Sequence, residues 1–429
     1  MKDSDAFSSR ELFPIDKSEY LDNSDGRFLL YSPLAGEIFE FSREEIEDLE
    51  RQLEKNGRFD DAELQKKLLD SRKTPSKNHV SSPDEVYAMT VLPNNICNFS
   101  CSYCYASKGH GHDELSDDTL KTVVNFFVNA SRIKERKDLF ISFGGGGEPM
   151  ISWPKVKNVI EYSHNLAEKQ HLTIHYSYAS NGSIINGEII ETVKKYNIKT
   201  NISFDILKDI QNIQRKYYNK VCQTLDLMLE NNITPTINSV ITPLNVERQC
   251  EMVEEIHNRF PGLKRLSFDY VVDGQLFNDS EKLKQFYQKY TDNFYKAQQL
   301  GKSYGISVSS IKYHNLELLK SRACAGGFDL TPNGTLSMCF FVSSPEEPLY
   351  NEFVYGEVRD GKVSFDSGKF KKLIEDSSNE RANCRHCFVR WHCGGGCLYH
   401  ANSYSKGQLD IMCDFQRRFS LIGLLKKKR

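Results

Sequence analysis

The chain has 429 residues, a length that suits two or three domains. Hydrophobic residues make up 39% and charged residues 27%, enough to bury a sizeable core, which excludes a disordered or low-complexity protein. Against 58 Asp and Glu stand 56 Lys and Arg, a formal charge of −2 that offers no global field for nucleic acid, and no apolar run approaches the roughly 18–20 residues of a membrane span.

In chain order, residues 1–85 read as a separate module. The first ten residues are polar and offer no apolar core for a secretory signal. The β-rich runs 27–31 (RFLLY) and 37–41 (EIFEF), joined by Ser32-Pro33-Leu34-Ala35-Gly36, predict a hairpin. Ser42 with Glu45 three residues on forms a capping box, and Ile46, Leu49 and Leu53 supply the apolar face of the helix it opens. The stretch 71–83, rich in Ser, Lys and Pro, reads as a linker.

From 86 to 305 strand and helix patterns alternate. Strands are expected at 86–92, 139–143, 173–179, 200–204, 234–241 and 265–271, with helices at 117–131, 153–169 and 245–260 between them. This alternation predicts an α/β fold with a parallel sheet, either open or a partial barrel, whose site lies at the carboxyl ends of the strands. A helix over 280–300 carries Leu283, Phe286, Tyr287, Tyr290 and Phe294 at helical spacing, which reads as core. The remainder, 306–429, is rich in Cys and Gly with short strands, and such a segment holds together best around metal. No internal repeat is evident. The basic end Lys426-Lys427-Lys428-Arg429 reads as a solvated terminus.

Twelve cysteines in a chain without an export signal point to metal ligation or catalysis rather than disulfides, and to a cytoplasmic setting where thiols stay reduced. Cys222 and Cys250 stand alone and read as small core residues. Cys97, Cys101 and Cys104 form a C-x3-C-x2-C run just after the first barrel strand. Three thiolates on a tight loop can hold three irons of a 4Fe–4S cluster and leave the fourth open. The alternative is a zinc site completed by His110 or His112.

This loop resembles that of the radical S-adenosylmethionine (SAM) superfamily, in which C-x3-C-x-aromatic-C follows the first strand of a partial (βα)6 barrel. Further segments match in order. Gly144-Gly145-Gly146-Gly147-Glu148-Pro149 resembles the family's GGEP segment with one glycine more than expected. Ser180-Asn181-Gly182 follows the third strand, and Ser203-Phe204-Asp205 ends the fourth. The resemblance implies SAM contacts at Gly146, Gly147, Glu148, Pro149, Asn181 and Ser203. It adds Arg215, twelve residues after Ser203, whose guanidinium suits a carboxylate, and Tyr103 on the adenine edge.

The C-terminal cysteines resemble the seven-cysteine SPASM domain of that superfamily, with auxiliary iron–sulfur clusters. The resemblance implies Cys384, Cys387, Cys393 and Cys413 on a distal cluster, and Cys324, Cys339 and Cys397 on a proximal one. The position of an eighth cysteine in fully ligated members is Leu318 here, so one proximal iron is open or takes another ligand such as Glu317 or His314. His386 and His392 read as second-rank or surface residues. Two zinc-ribbon sites in a non-enzymatic binding module are the alternative.

The resemblance, over roughly residues 88–415, implies one SAM-binding and two auxiliary 4Fe–4S clusters. It also implies reductive cleavage of SAM to a 5′-deoxyadenosyl radical, and hydrogen abstraction from a substrate. It further implies an electron donor such as flavodoxin or ferredoxin, with no nucleic acid and no membrane. Two subgroups compete: maturases that form thioether or carbon–carbon cross-links in ribosomally made precursor peptides, and anaerobic sulfatase maturases. The latter place an aspartate directly after the cysteine matching Cys339, where this chain has Phe340-Phe341. They also carry the eighth cysteine, and Gly-Pro where this chain has Ile206-Leu207. These departures favour the peptide maturase, and the 1–85 module then reads either as a winged-helix-like element that binds a precursor's leader as an added strand or as a capping extension that packs on the barrel. No catalytic base, bond formed or oligomeric state is legible.

Overall fold

The computed structural model describes residues 5–22, 25–75, 79–133, 136–272, 276–277 and 279–427. The expected linker at 71–83 and the terminal Lys428-Arg429 therefore lie partly outside the described residues. The chain forms two compact units. One gathers 1–79, 311–325 and 375–429, and the other gathers 80–310 and 326–374. The stretch expected as a single Cys-rich segment, 306–429, is thus divided between both.

In the first unit, β1 (Phe13–Asp16), β2 (Phe28–Ser32) and β3 (Glu37–Phe41) form an antiparallel sheet in the order β1-β2-β3. The expected hairpin is β2-β3, paired from Phe28–Phe41 to Ser32–Glu37. The capping box is present: Ser42 Oγ accepts from the Glu45 N–H, and Glu45 accepts from the Ser42 N–H, at the start of the helix Arg43–Asn56. One sheet face packs Phe28 and Leu30 against Ile46, Leu49 and Leu53. The opposite face packs Phe13, Ile15, Leu29 and Tyr31 against Phe388, Val389 and Leu421. A sheet apolar on both faces has to be covered twice, so this module is the middle layer of a larger unit rather than a free-standing one.

The second unit is built on an eleven-stranded sheet. Seven parallel strands follow one another in space as in the chain: β4 (Ala88–Val91), β5 (Asp138–Phe143), β6 (Thr173–Ser180), β7 (Lys199–Ser203), β8 (Thr236–Ile241), β9 (Arg265–Tyr270) and β10 (Ser307–Ser309). The order never reverses, so right-handed crossovers put all the helices on one face, as in a partly wound barrel rather than a doubly wound sheet. The three-residue β10 is too short to leave a pattern in the sequence. On the other flank, β11 (Asp329–Leu330) pairs parallel with β4, and β12 (Thr335–Ser337), β13 (Val354–Arg359) and β14 (Lys362–Phe365) extend the sheet antiparallel. The edge of β4 is thereby covered, which is why this segment joins the barrel.

Burial alternates along these strands. Met89, Ile141, Tyr176, Ile202, Ile237 and Phe268 are buried. This is the helix side, since the Tyr176 hydroxyl meets Ser163 Oγ at 2.8 Å and donates to the Ile160 carbonyl on the helix Trp153–Lys169. The other face is half-open and polar. Thr90, Ser142 and Ser177 stand in one row across β4 to β6. Ser203, Asn238, Ser267 and Ser309 stand in another across β7 to β10. The helix Ser280–Ser303 buries Leu283, Phe286, Tyr287, Tyr290 and Phe294, as their spacing predicts. Among the described residues no helix is long and apolar enough to cross a membrane.

Candidate active site

Cys97, Cys101 and Cys104 lie on the loop that leaves β4, all half-buried, and all twelve cysteines of the chain are free. Burial pushes the pKa of each thiol up, that of Cys104 to about 11, and the charge of Cys97 adds to the rise at Cys101 and Cys104. Arg215 is the cation that draws all three back down. Four strand ends hold the loop in place.

From β4, the Asn94 side chain accepts from the Ile96 N–H at 2.9 Å and donates to the Glu148 carbonyl at 3.1 Å. From β5, the glycine loop folds onto the same backbone: the Gly147 N–H donates to the Asn94 carbonyl, and a Cβ at Gly147 would stand 2.2 Å from the Ile96 carbonyl. Only glycine allows that approach, so the run is shaped to receive the cysteine loop. Glu148 is buried, and its carboxylate takes the Asn181 N–H (2.6 Å), the Ser180 hydroxyl (2.8 Å) and the Met150 N–H (3.1 Å). It thus ties the β5 and β6 ends together, and burial raises its pKa against these donors. Pro149 opens the short helical turn that follows.

From β6, Asn181 Nδ2 reaches Asn98 Oδ1 at 2.9 Å and Cys97 Sγ at 3.9 Å. Beyond β7, Tyr103 donates its hydroxyl to Asp205 at 2.8 Å and accepts from Arg215 Nη1 at 2.9 Å. Gln214 Nε2 also donates to Asp205 at 3.0 Å. Burial works against the Arg215 charge, and Tyr103, Cys101 and Asp205 around it more than restore it. Ser203 ends β7 in the half-open polar row. Asp205, Gln214 and Asn98 were not singled out as site residues from the sequence. Their signal was position alone, since Asn98 lies inside the cysteine run and Asp205 two residues after Ser203.

The sites hold the expected groups in different degrees. At the first loop, two buried atoms lack hydrogen-bond partners: the acceptor Asn95 Oδ1 beside Gly146, and the donor Arg215 Nε. Buried polar atoms are nearly always paired, so these two suit a ligand that carries both charges. His110 Nε2 lies 3.8 Å from Cys104 Sγ, while His112 is exposed. Among the described residues no three His, Cys, Asp or Glu side chains converge tightly enough to hold one metal ion. A 4Fe–4S cluster instead takes one thiolate per iron and spreads its ligands.

In the other unit, Cys384, Cys387, Cys393 and Cys413 line one cavity of about 370 Å³, with Cys397 at its wall. Burial pushes Cys413 up to about 11, with the charges of Cys393, Cys387 and Cys384 adding to it and Arg417 opposing. Cys324, also pushed to about 11 by burial, is within the field of Cys397. The Cys393–Cys397 turn closes through glycines: a Cβ at Gly395, whose φ is +88°, would meet the Ser378 carbonyl at 2.2 Å. Cys339 belongs to the barrel unit, where its charge acts on Tyr105 beside Cys104. Glu317 pairs with Lys427 at 3.1 Å, and the His314 side chain is 60% exposed. His392 is buried, with Nε2 at 2.6 Å from the Tyr31 hydroxyl, and His386 meets Ser8. Cys222 is buried and Cys250 half-buried.

Residues 91–257 match the family description "Radical SAM superfamily", so this stretch, with its cysteine loop and strand-end network, is a radical SAM domain. Over 356 residues, 75% of this chain and 70% of the relative, the chain is 26% identical to the radical SAM cyclopropyl synthase TigE of Paramaledivibacter caminithermalis. It is 25% identical to a cysteine-type anaerobic sulfatase-maturating enzyme of Clostridium perfringens, covering 73% of this chain and 89% of that one. Native anSMEcpe with bound AdoMet aligns at TM-score 0.63 and 17% identity, over 79% of this chain and 98% of that one. Streptococcus suis SuiB bound to the precursor peptide SuiA aligns at 0.53 and 14%, over 93% and 98%. Similarity at these levels to solved structures concerns the fold. The protein is a radical SAM enzyme, related to peptide maturases and to sulfatase maturases.

Proposed function

We propose that this enzyme is a maturase that cross-links a ribosomally made precursor peptide. The observation that carries the reading is the half-open polar face of the barrel sheet, at whose strand ends the three-cysteine loop lies and along which an extended substrate would run. When bound, a 4Fe–4S cluster and SAM supply a one-electron cleavage that yields a 5′-deoxyadenosyl radical. The residues present fit that pair. Cys97, Cys101 and Cys104 would hold three irons. Arg215 would offer its unpaired Nε to the SAM carboxylate, and Asn95 and the Gly146-Gly147 backbone would face the ammonium end. Glu148, Pro149, Asn181 and Ser203 would shape the same pocket, and Tyr103, fixed by Asp205 and Arg215, would border the adenine.

Cys384, Cys387, Cys393 and Cys413 would hold one auxiliary cluster, and Cys324 and Cys397 would ligate another. Glu317 is engaged by Lys427, so an open position on the proximal cluster would await a substrate atom. The β1-β2-β3 sheet would take a leader as an added strand in a winged-helix-like module spanning roughly 1–85. The partners would be the precursor peptide and an electron donor such as flavodoxin or ferredoxin, in the cytoplasm.

A second reading, formylglycine formation on a sulfatase, is favoured by the sulfatase-maturase relative. What opposes it is local. After Cys339 stand Phe340 and Phe341, whose rings contact the ring of Tyr105, so the residue that follows the cysteine is aromatic and not a carboxylate. The test is to incubate the anaerobically purified enzyme with SAM, dithionite and a short precursor encoded beside it. Loss of two hydrogens with a mapped intramolecular bond supports the maturase. Aldehyde formation on a sulfatase peptide, with no change in the precursor, overturns it.

A further inference from the structure

The three-cysteine loop reaches solvent on one side. Ser100 and Ser102, which flank Cys101, are both exposed. Phe99, between Cys97 and Cys101, is buried, and its ring lies against that of Tyr217 with centroids 4.9 Å apart. Tyr217 is itself 51% exposed, so one aromatic pair runs from solvent into the loop. The backbone holds it there. The Ser102 N–H donates to the Gln214 carbonyl at 2.8 Å, and Lys216 and Tyr217 both take left-handed conformations, with φ of +71° and +55°. Such residues cost on the order of 1–3 kcal/mol each, so the outward tyrosine is kept against strain. Ile213, 63% exposed, precedes Gln214. Leu244, also exposed, stands on a turn tied to Gln214: the Thr242 hydroxyl donates to Gln214 Oε1 at 2.6 Å and accepts from the Leu244 N–H at 3.1 Å. Large apolar side chains exposed together mark a contact surface. The charges beside them are one-sided. Lys216 and Lys220 are exposed and pair with no acid among the described residues. The surface acids on the same segments are engaged, Asp209 and Glu251 by Arg248 and Glu247 by Lys289.

We infer that this face, Tyr217 with Ile213, Leu244, Lys216 and Lys220, is where an acidic one-electron donor of the flavodoxin kind docks to reduce the SAM-binding cluster. The inference rests on the cluster reading above and adds to it the place of the partner. Three features select that occupant. An electron crosses only where donor and acceptor come close, and here the cysteine loop itself is at the surface. Electron-transfer encounters bury little area, which suits a few apolar side chains rather than a broad face. Unpaired lysines beside them steer an anionic partner. In the transfer the donor's anionic, fully reduced flavin loses one electron and keeps its proton, and the cluster held by Cys97, Cys101 and Cys104 gains that electron.

The test uses the full chain, purified without oxygen and with its iron, as wild type, Lys220→Glu, Ile213→Glu and the double variant. The probe is a purified bacterial flavodoxin. Its binding is titrated by calorimetry at low and high salt. Formation of 5′-deoxyadenosine from SAM is followed with reduced flavodoxin and, separately, with dithionite, which needs no docking. The expected result is flavodoxin binding weakened roughly 10-fold or more in the double variant, with a shallower salt dependence in Lys220→Glu. Flavodoxin-driven turnover falls in parallel, while iron content and dithionite-driven turnover stay at the wild-type level. Should the double variant lose iron, Lys220→Glu, on the surface of the helix Tyr218–Glu230, carries the comparison alone. No binding of flavodoxin to wild type, or unchanged binding in the variants, overturns the inference alone. So does a dimer in sedimentation that Ile213→Glu dissolves, which makes the face a contact between copies, or a loss of dithionite-driven turnover with iron intact, which makes it part of the SAM site. Wild type that forms no 5′-deoxyadenosine with dithionite overturns the cluster reading on which the inference rests.

Discussion

In the barrel unit three thiols sit on one loop, and the groups that shape that loop arrive from the ends of β4, β5, β6 and β7. In the other unit the thiols come from one tight stretch, 384–397, together with Cys324 and with Cys413 on the helix Lys406–Lys427. The first arrangement is polar and unfinished, with Asn95 Oδ1 and Arg215 Nε unpaired and a half-open sheet face beside it. In the second, Cys384, Cys387, Cys393, Cys397 and Cys413 line one cavity together with Arg381, Arg390 and Arg417. Three ligands leave an iron free to bind and react, while four leave only electron transfer or structure. On the function proposed above, the difference would separate a place where SAM is cleaved from a place that stores charge.

Removing one thiol from each group breaks the comparison most sharply. Cys101→Ala is expected to abolish 5′-deoxyadenosine formation under dithionite and to remove about four irons per chain. Cys413→Ala is expected to remove about four irons as well but to leave uncoupled SAM cleavage intact, which product assays by chromatography separate. Next comes Arg215→Lys. A lysine keeps the charge but not the guanidinium fork, so SAM binding should weaken roughly 10- to 100-fold by calorimetry, and the Tyr103 hydroxyl should lose a donor.

A smaller effect concerns Asp329, buried on β11 in register with Thr90 and bound by the Thr90 side chain and the Phe340 N–H. Burial pushes its pKa up from 3.8 to about 7. Its folded pKa is above the unfolded one, so the stability it contributes is full below about pH 4 and is lost as the pH rises through about 7. Asp329→Asn cannot ionise. Its stability relative to wild type should therefore grow between pH 5 and pH 8, by on the order of 1–3 kcal/mol in denaturant titrations. The smallest effect is Ser42→Ala, which removes a capping box far from either group of thiols. It should cost about 1 kcal/mol and leave iron content and SAM cleavage unchanged.

Much of this was legible in the sequence because it is local. The cysteine run, the glycine run, the Ser42–Glu45 cap and the strand alternation are each set by residues within a few positions of one another. What was not legible depends on long-range pairing. The joining of β11–β14 to β4 turns on an edge that only the folded sheet presents. The double coverage of the β1-β2-β3 sheet depends on Phe388, Val389 and Leu421, far along the chain. At the site, the sequence pointed to Tyr103 and Arg215, but not to the Asp205 carboxylate that joins them. Its place two residues after Ser203 was visible, but its bonds to Tyr103 and Gln214 form only where the β7 end meets the cysteine loop. Glu148 was expected among the SAM contacts, and its carboxylate accepts from three protein donors that no sequence pattern revealed.

The central claim is tested most directly by counting iron and acid-labile sulfide per chain on anaerobically purified protein while assaying SAM cleavage under dithionite. The account predicts about twelve irons per chain, with 5′-deoxyadenosine formed. Zinc in place of iron, with no SAM cleavage, would contradict it.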